Sequence, residues 1–314
     1  MKEITQRSKA VTIFLASRPH FLTASAAPVL VGSALGYAGG GAFSWVLFVL
    51  ALLSIMVLHA GANMVNDYFD HISRNDWVNK NPTPFSGGSR FIQNGLLSPK
   101  SVLLAALLAL TVGSALGIVI VVITQSFFVL ILGLVGLFGG FFYTASPIRI
   151  GYRTIGEPII AVLFGLLPVY GSYYLQTRTI DTLPLLPGCI VGILVFLIIL
   201  INEFPDLDAD AAVGKKTFVV RFGIPASIWI YRTLMLAGFG CAAAMLLWPT
   251  LFYAGLLYLL TLPLAVAAIK SANKQDLAVP GRLRANRLTI LSHALGSAVL
   301  AAGLFVAAFC SSAG

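Results

Sequence analysis

Charge is scarce in this chain. Asp, Glu, Lys and Arg make up 10% of its 314 residues, against 58% hydrophobic, and the mean hydropathy is +0.93. A soluble domain carries about 25% charged and roughly 45–50% apolar residues because its surface must be wetted. A chain this poor in charge cannot coat such a surface, so most of it faces lipid or other apolar helices. Cysteine is sparse too: Cys189, Cys241 and Cys310 are odd in number, lie in apolar runs and have no C-x-x-C spacing. Neither a disulfide framework nor a zinc site is suggested, and the three read as small apolar packing residues. There is no G-x-x-x-x-G-K-[ST] phosphate loop. No small-residue cleavage site leads from the first apolar run into a soluble chain, so that run is expected to be a span rather than a removable leader.

Long apolar runs, by contrast, are abundant. Stretches of about 20 residues, enough to cross a ~30 Å hydrocarbon core, fall near 19–39, 43–69, 100–122, 125–144, 154–175, 183–205, 226–246, 249–269 and 288–310. The pattern predicts an all-α, polytopic membrane protein of about nine transmembrane helices, a single domain over residues 1–314 that opens with a basic segment at 1–18. With nine spans, 19 of the 20 Lys and Arg residues share the side of the N-terminus and only Arg178 lies opposite. The positive-inside rule makes that side cytoplasmic, so a multi-pass protein of the inner (cytoplasmic) membrane is expected. The net charge of +9 then reflects topology and contact with anionic lipid, with no nucleic acid partner implied.

The acids are distributed differently. Seven of the eleven (Asp67, Asp70, Asp76, Glu203, Asp206, Asp208 and Asp210) lie at the cytoplasmic ends of the second and sixth runs. Ionisable groups at membrane depth are costly and mark functional sites. On a helix, Asn63, Asn66 or Asp67, and Asp70 share one face, and so do Asn202, Asp206 and Asp210, whereas Asp208 falls off it. Asp76 joins the first face only if the helix ends near His71. Two converging carboxylate faces repel unless cations occupy the space between them. Oxygen donors without His or Cys partners favour Mg²⁺, completed by substrate phosphate and water. Gly87-Gly88-Ser89-Arg90 follows the first cluster, and Gly214-Lys215-Lys216-Thr217 with Arg221 follows the second; glycines admit an anion to backbone N–H groups while Lys and Arg neutralise it.

These residues resemble the UbiA superfamily of intramembrane aromatic prenyltransferases. The resemblance rests on Asn66-Asp67-Tyr68-Phe69-Asp70 with Asp76, on Asn202-x₃-Asp206-x₃-Asp210 with the Gly214-Lys215-Lys216-Thr217 loop and Arg221, and on Tyr143-Thr144, Pro147 and Tyr152-Arg153-x₂-Gly156-Glu157 between them. It implies a helical bundle around a central cavity that holds a polyprenyl diphosphate, with Mg²⁺ as cofactor. Carried over, Asn63, Asn66, Asp67, Asp70, Asp76, Asn202, Asp206 and Asp210 would serve the metal, the Asp residues among them being catalytic. Arg90, Arg153, Lys215 and Arg221 would grip the diphosphate. Tyr68, Tyr143 and Phe204 would line the cavity beside the allyl cation, and Glu157 would orient Arg153 or an acceptor hydroxyl. His71 is expected to be a loop residue. The Asp70-to-Asp76 spacing and the GGSR loop are more similar to menaquinone-type 1,4-dihydroxy-2-naphthoate enzymes than to 4-hydroxybenzoate enzymes, which commonly have Asp-x₃-Asp. Asn75 departs from the small residue that many naphthoate enzymes carry. Acceptors of the 4-hydroxybenzoate or homogentisate type remain the nearest alternatives. A cation-coupled transporter is the rival of another class, and it predicts acids at mid-span. A CDP-alcohol phosphotransferase would need a D-G-x₂-A-R signature that is absent. Nothing in the sequence names a protein partner.

Overall fold

The structure is a computed structural model that describes residues 8–277, 279 and 281–312. Lys2, Glu3 and Arg7, from the basic N-terminal segment, lie outside the described residues. Helices α1 (Lys9–Ala16), α2 (Thr23–Ala38), α3 (Trp45–Ile72), α4 (Asn75–Val78), α5 (Pro99–Thr124), α6 (Phe127–Phe142), α7 (Gly156–Ala161), α8 (Leu167–Thr177) and α9 (Leu185–Ala212) are followed by α10 (Phe218–Met245), α11 (Phe252–Leu259), α12 (Leu262–Ser271), α13 (Lys274–Leu277) and α14 (Arg284–Ser312). No strand occurs among the described residues. A π-helical turn, Val162–Leu166, joins α7 to α8.

Among the described residues, six helices are long and apolar enough to cross a membrane: α3, α5, the continuous Gly156–Thr177 rod, α9, α10 and α14. Two bent pairs, Lys9–Phe21 with Thr23–Ala38 (53°) and Pro249–Leu259 with Leu262–Ser271 (49°), raise the number to eight. Each of the nine apolar runs read from the sequence has a helical counterpart. The shortfall is α6, whose 16 residues rise about 24 Å, less than a hydrocarbon core.

The principal core forms around α9, whose Ile190–Ile201 stretch is almost continuously apolar; α9 packs against α2, α7, the π turn, α8, α10 and α14, and α11 joins through α10 and α14. A smaller core joins α3 to α5. Without water to drive association, helices in lipid pack through small residues. A Cβ on Gly165 of the π turn would lie 2.2 Å from Gly192 Cα on α9, and one on Gly32 of α2 would lie 2.2 Å from the Val169 carbonyl of α8. The helix starts are cut by serine: the hydroxyls of Ser44, Ser98 and Ser126 accept from Leu47, Ser101 and Val129 N–H, supplying orphan donors with partners.

The end of α3 positions the site. After Ile72 the chain breaks at Arg74, in the left-handed region at φ 66°, and reverses into α4. That reversal returns Asp76 towards the helix it has just left.

Candidate active site

Two carboxylate faces meet across a cavity of ≈ 140 Å³. Asp70 of α3, Asp76 of α4, and Asp206 and Asp210 of α9 line it, with Asn66, Asn75, Asn202, Tyr143, Tyr152, Arg18 and Lys215. Asp208 is exposed, as the helical period requires. Lys215 stands between the faces: its Nζ lies 3.5 Å from Asp70 Oδ2 and 3.4 Å from Asp210 Oδ1, and 5.2 Å from the centroid of the Tyr152 ring. Burial disfavours its charge, but the carboxylates of Asp210 and Asp70 outweigh that and hold the ammonium protonated well above the ordinary lysine range.

Amides add further donors to these carboxylates, on Asp70 and Asp210 at the same oxygens that face Lys215. Asn66 Nδ2 donates to Asp70 Oδ2 and to Thr144 Oγ1, each at 3.0 Å. Asn75 donates to Asp210 (3.0 Å), Asn79 to Asp206 (2.8 Å) and Gln93 to Asp76 (3.2 Å). The glycine loop adds Gly87 N–H on Asp206 (3.1 Å) and Ser89 N–H on Asp67 (3.2 Å). Asp67, 2% exposed, is ion-paired with Arg18, which also donates to Asn66 Oδ1. Tyr152 donates to Asp70 (3.1 Å), and burial together with that carboxylate pushes its phenol up to about 12. Burial, then the charges of Asp70 and Asp67, push the Asp76 carboxyl up to about 8.

The donor set suits a hard divalent cation. Its acidic side chains offer only oxygen, and among the described residues the buried Asn75 Oδ1 of the lining and Asp67 Oδ2 outside it have no partner. Gly88 keeps the approach to Asp76 clear: at φ 77°, a Cβ there would lie 2.4 Å from Asp76 Oδ2. Among the described residues, no three acidic, His or Cys side chains enclose an ion by themselves. Mg²⁺ asks for less, taking one or two carboxylates and completing its octahedron with phosphate and water.

A second cavity of ≈ 330 Å³, apolar, is lined by α3, α5, α6, the π turn and α8. Its lining includes Ala62 and Gly140, four residues before Asn66 and Thr144 of the polar pocket.

The UbiA prenyltransferase family model matches residues 25–287. The chain belongs to that family. Its relatives include the 1,4-dihydroxy-2-naphthoate octaprenyltransferases of Haemophilus influenzae, 32% identical over 79% of this chain and 81% of that protein, and of Escherichia coli, 30% identical over 79% and 80%. Among solved structures, a UbiA homologue from Archaeoglobus fulgidus bound to DMAPP and Mg²⁺ superimposes with a TM-score of 0.62 at 17% identity, covering 92% of this chain and 98% of that one. The protein is thus a prenyltransferase with the UbiA fold.

Of the residues singled out in the sequence, Asn66, Asp70, Asp76, Asn202, Asp206, Asp210, Lys215 and Tyr143 line the pocket of this family member. Others do not. Asn63 spends its amide on the Ser17 carbonyl (2.9 Å), and Arg90 donates to the Asp76 carbonyl, bracing the loop from behind. Arg153 and Arg221 are exposed and outside the lining, because Arg153 leaves a 3₁₀ turn and Arg221 follows the capped start of α10. Tyr68 packs on Phe69, and Phe204 is buried in the α9 core. Glu157, 1% exposed, does not orient Arg153. Its Oε1 accepts the Phe218 N–H (2.8 Å) and Glu203 Oε2 accepts that of Val219 (3.4 Å). Thr217 makes no side-chain cap there, so two glutamates from neighbouring helices cap α10 in its place. His71 accepts from Trp77 Nε1 at the surface (3.1 Å). Sequence reasoning missed Arg18, counted only as a topology signal, and Asn79 and Gln93, which carry no periodic mark.

Proposed function

We propose that this prenyltransferase moves a polyprenyl chain from its diphosphate onto an aromatic quinone precursor, 1,4-dihydroxy-2-naphthoate, using Mg²⁺. The observation that carries the reading is the convergence of the Asp70/Asp76 and Asp206/Asp210 faces on one pocket, with Lys215 between them and an apolar cavity beyond. The naphthoate acceptor is supported by the names of the relatives, and the metal by the Mg²⁺ and DMAPP bound to the Archaeoglobus homologue. In this reading α6 and its flanking turns complete nine spans, the N-terminus is cytoplasmic, and the pocket opens on the cytoplasmic side of the cell's inner membrane.

The chemistry follows from the groups present. Asp70, Asp76, Asp206 and Asp210 would hold the metal, which withdraws charge from the leaving diphosphate. Lys215 neutralises diphosphate oxygens once it leaves its two carboxylates, and the Gly87–Ser89 backbone admits the anion closely. The allylic C–O bond breaks as diphosphate departs, the electron-rich ring carbon attacks, and the ring then gives up its proton. Tyr143 presents an aromatic wall to the cation. Apolar side chains of α3, α5, α6 and α8 take the prenyl tail and keep water from the cation.

The reading is tested by giving purified protein a labelled polyprenyl diphosphate and Mg²⁺ with dihydroxynaphthoate, 4-hydroxybenzoate or homogentisate. Dihydroxynaphthoate is the expected acceptor. Product from only one of the other two would reassign the acceptor, and no product from any would overturn the reaction.

A further inference from the structure

Pro205 lies inside α9, between Asn202 and Asp206. A proline has no N–H, so the carbonyl four residues before it, that of Ile201, loses its helical donor. The missing donor comes from another helix: Asn286 at the start of α14, 1% exposed, donates from Nδ2 to Ile201 O at 3.1 Å. A backbone carbonyl only accepts, so this contact fixes which atom of the Asn286 amide is nitrogen. The same Nδ2 lies 2.8 Å from the Asn202 side chain, so the atom facing it must be the Asn202 oxygen. The orientation of both amides therefore follows from one proline.

The consequence concerns the pocket. Asn202 lines it, its Oδ1 is held by Asn286, and among the described residues its Nδ2 has no partner. A side chain that commits its oxygen backwards offers the pocket a donor. We infer that Asn202 is a hydrogen-bond donor to the oxygens of the bound diphosphate rather than a ligand of the metal, and that Asn286, anchored on the carbonyl orphaned by Pro205, is the positioning residue that sets it so. Of the Asn202-x₃-Asp206-x₃-Asp210 repeat, only the two aspartates then remain to hold the cation. The inference rests on the diphosphate reading of the pocket, but not on the identity of the acceptor.

The test is the binding of inorganic diphosphate to the purified full-length protein at fixed Mg²⁺, alongside the Mg²⁺ concentration that half-saturates that binding. Asn202→Asp places a carboxylate where the donor stood. It is expected to weaken diphosphate binding by roughly tenfold or more while leaving the Mg²⁺ midpoint within about twofold. A metal ligand would instead give a tighter Mg²⁺ midpoint with diphosphate binding retained, and diphosphate binding that is retained overturns the assignment. Asn286→Leu should weaken diphosphate binding comparably and also lower the melting temperature. Pro205→Ala gives Ile201 an in-helix N–H, so in the double variant the melting temperature recovers while diphosphate binding stays weak. If Asn286→Leu lowers only the melting temperature, its role is structural and the positioning claim fails. Wild-type protein that binds diphosphate with Mg²⁺ but prenylates no aromatic acceptor would sink the proposed reaction and leave this inference standing.

Discussion

Asp70 is where three elements are tied together: Asn66 on its own helix, Tyr152 from the connection before α7, and Lys215 from the loop before α10 all contact its carboxylate. Asp70→Ala leaves Lys215 on Asp210 alone and removes a metal oxygen, so kcat/KM should fall by about 10²-fold or more, with the melting temperature much less affected. Asp76 makes a pH prediction. With its carboxyl raised to about 8, it holds a proton at neutral pH that a bound cation must displace. Mg²⁺ affinity should therefore rise with pH by up to roughly tenfold per unit below that value and level off above it. Calorimetry in buffers of different ionisation enthalpy would show a proton released on binding, and a pH-independent affinity would count against Asp76 as a ligand. Gly88→Ala combines a left-handed backbone with a methyl pressed on the Asp76 carboxylate. The Mg²⁺ midpoint should rise by about tenfold, read from the metal dependence of turnover.

At the scale of elements, the start of α10 and the end of α3 govern the site. Glu157 and Glu203 cap α10 from outside, and the Lys215 loop hangs from that cap, with Lys216 N–H on the Tyr152 carbonyl (3.1 Å). Glu157→Leu strands a buried N–H, costing about 1–3 kcal/mol. It should lower the melting temperature and raise the KM for prenyl diphosphate through Lys215, while Glu157→Gln keeps an accepting oxygen and should restore much of both. The two helical carboxylate faces were legible in the sequence because i, i+4 and i+8 need only a regular helix. What α3 does after Ile72 was not. Asp76 could be placed only on the condition that α3 ends near His71, and Asn79 and Gln93, which donate to Asp206 and Asp76 from an aperiodic loop, leave no repeating signature. Arg18 was hidden differently, since a basic residue near a membrane end already has a sufficient explanation in topology.

At the scale of the whole molecule, a polar pocket and an apolar cavity are both lined by α3, with α9 at the centre of packing. Apolar runs made the helices legible from composition alone, but how they pack was not, because the contacts that fix it are single glycines. Gly165→Val drives its side chain into Gly192 across the α9 seam and should cost about 2 kcal/mol or more, seen as loss of folded protein in detergent. The charge asymmetry predicts that a cysteine at Thr179 reacts with an impermeant reagent on intact cells and one at Lys216 only after permeabilisation; equal labelling would refute the orientation. The central claim is that both carboxylate faces act together on one diphosphate. Its most direct test is Mg²⁺-dependent release of diphosphate from labelled polyprenyl diphosphate in the presence of acceptor, by wild type and by the Asp70→Ala/Asp206→Ala double variant. Wild type should release diphosphate only with Mg²⁺ and the double variant none above background; turnover that survives both substitutions would mean that the two faces do not act on one diphosphate.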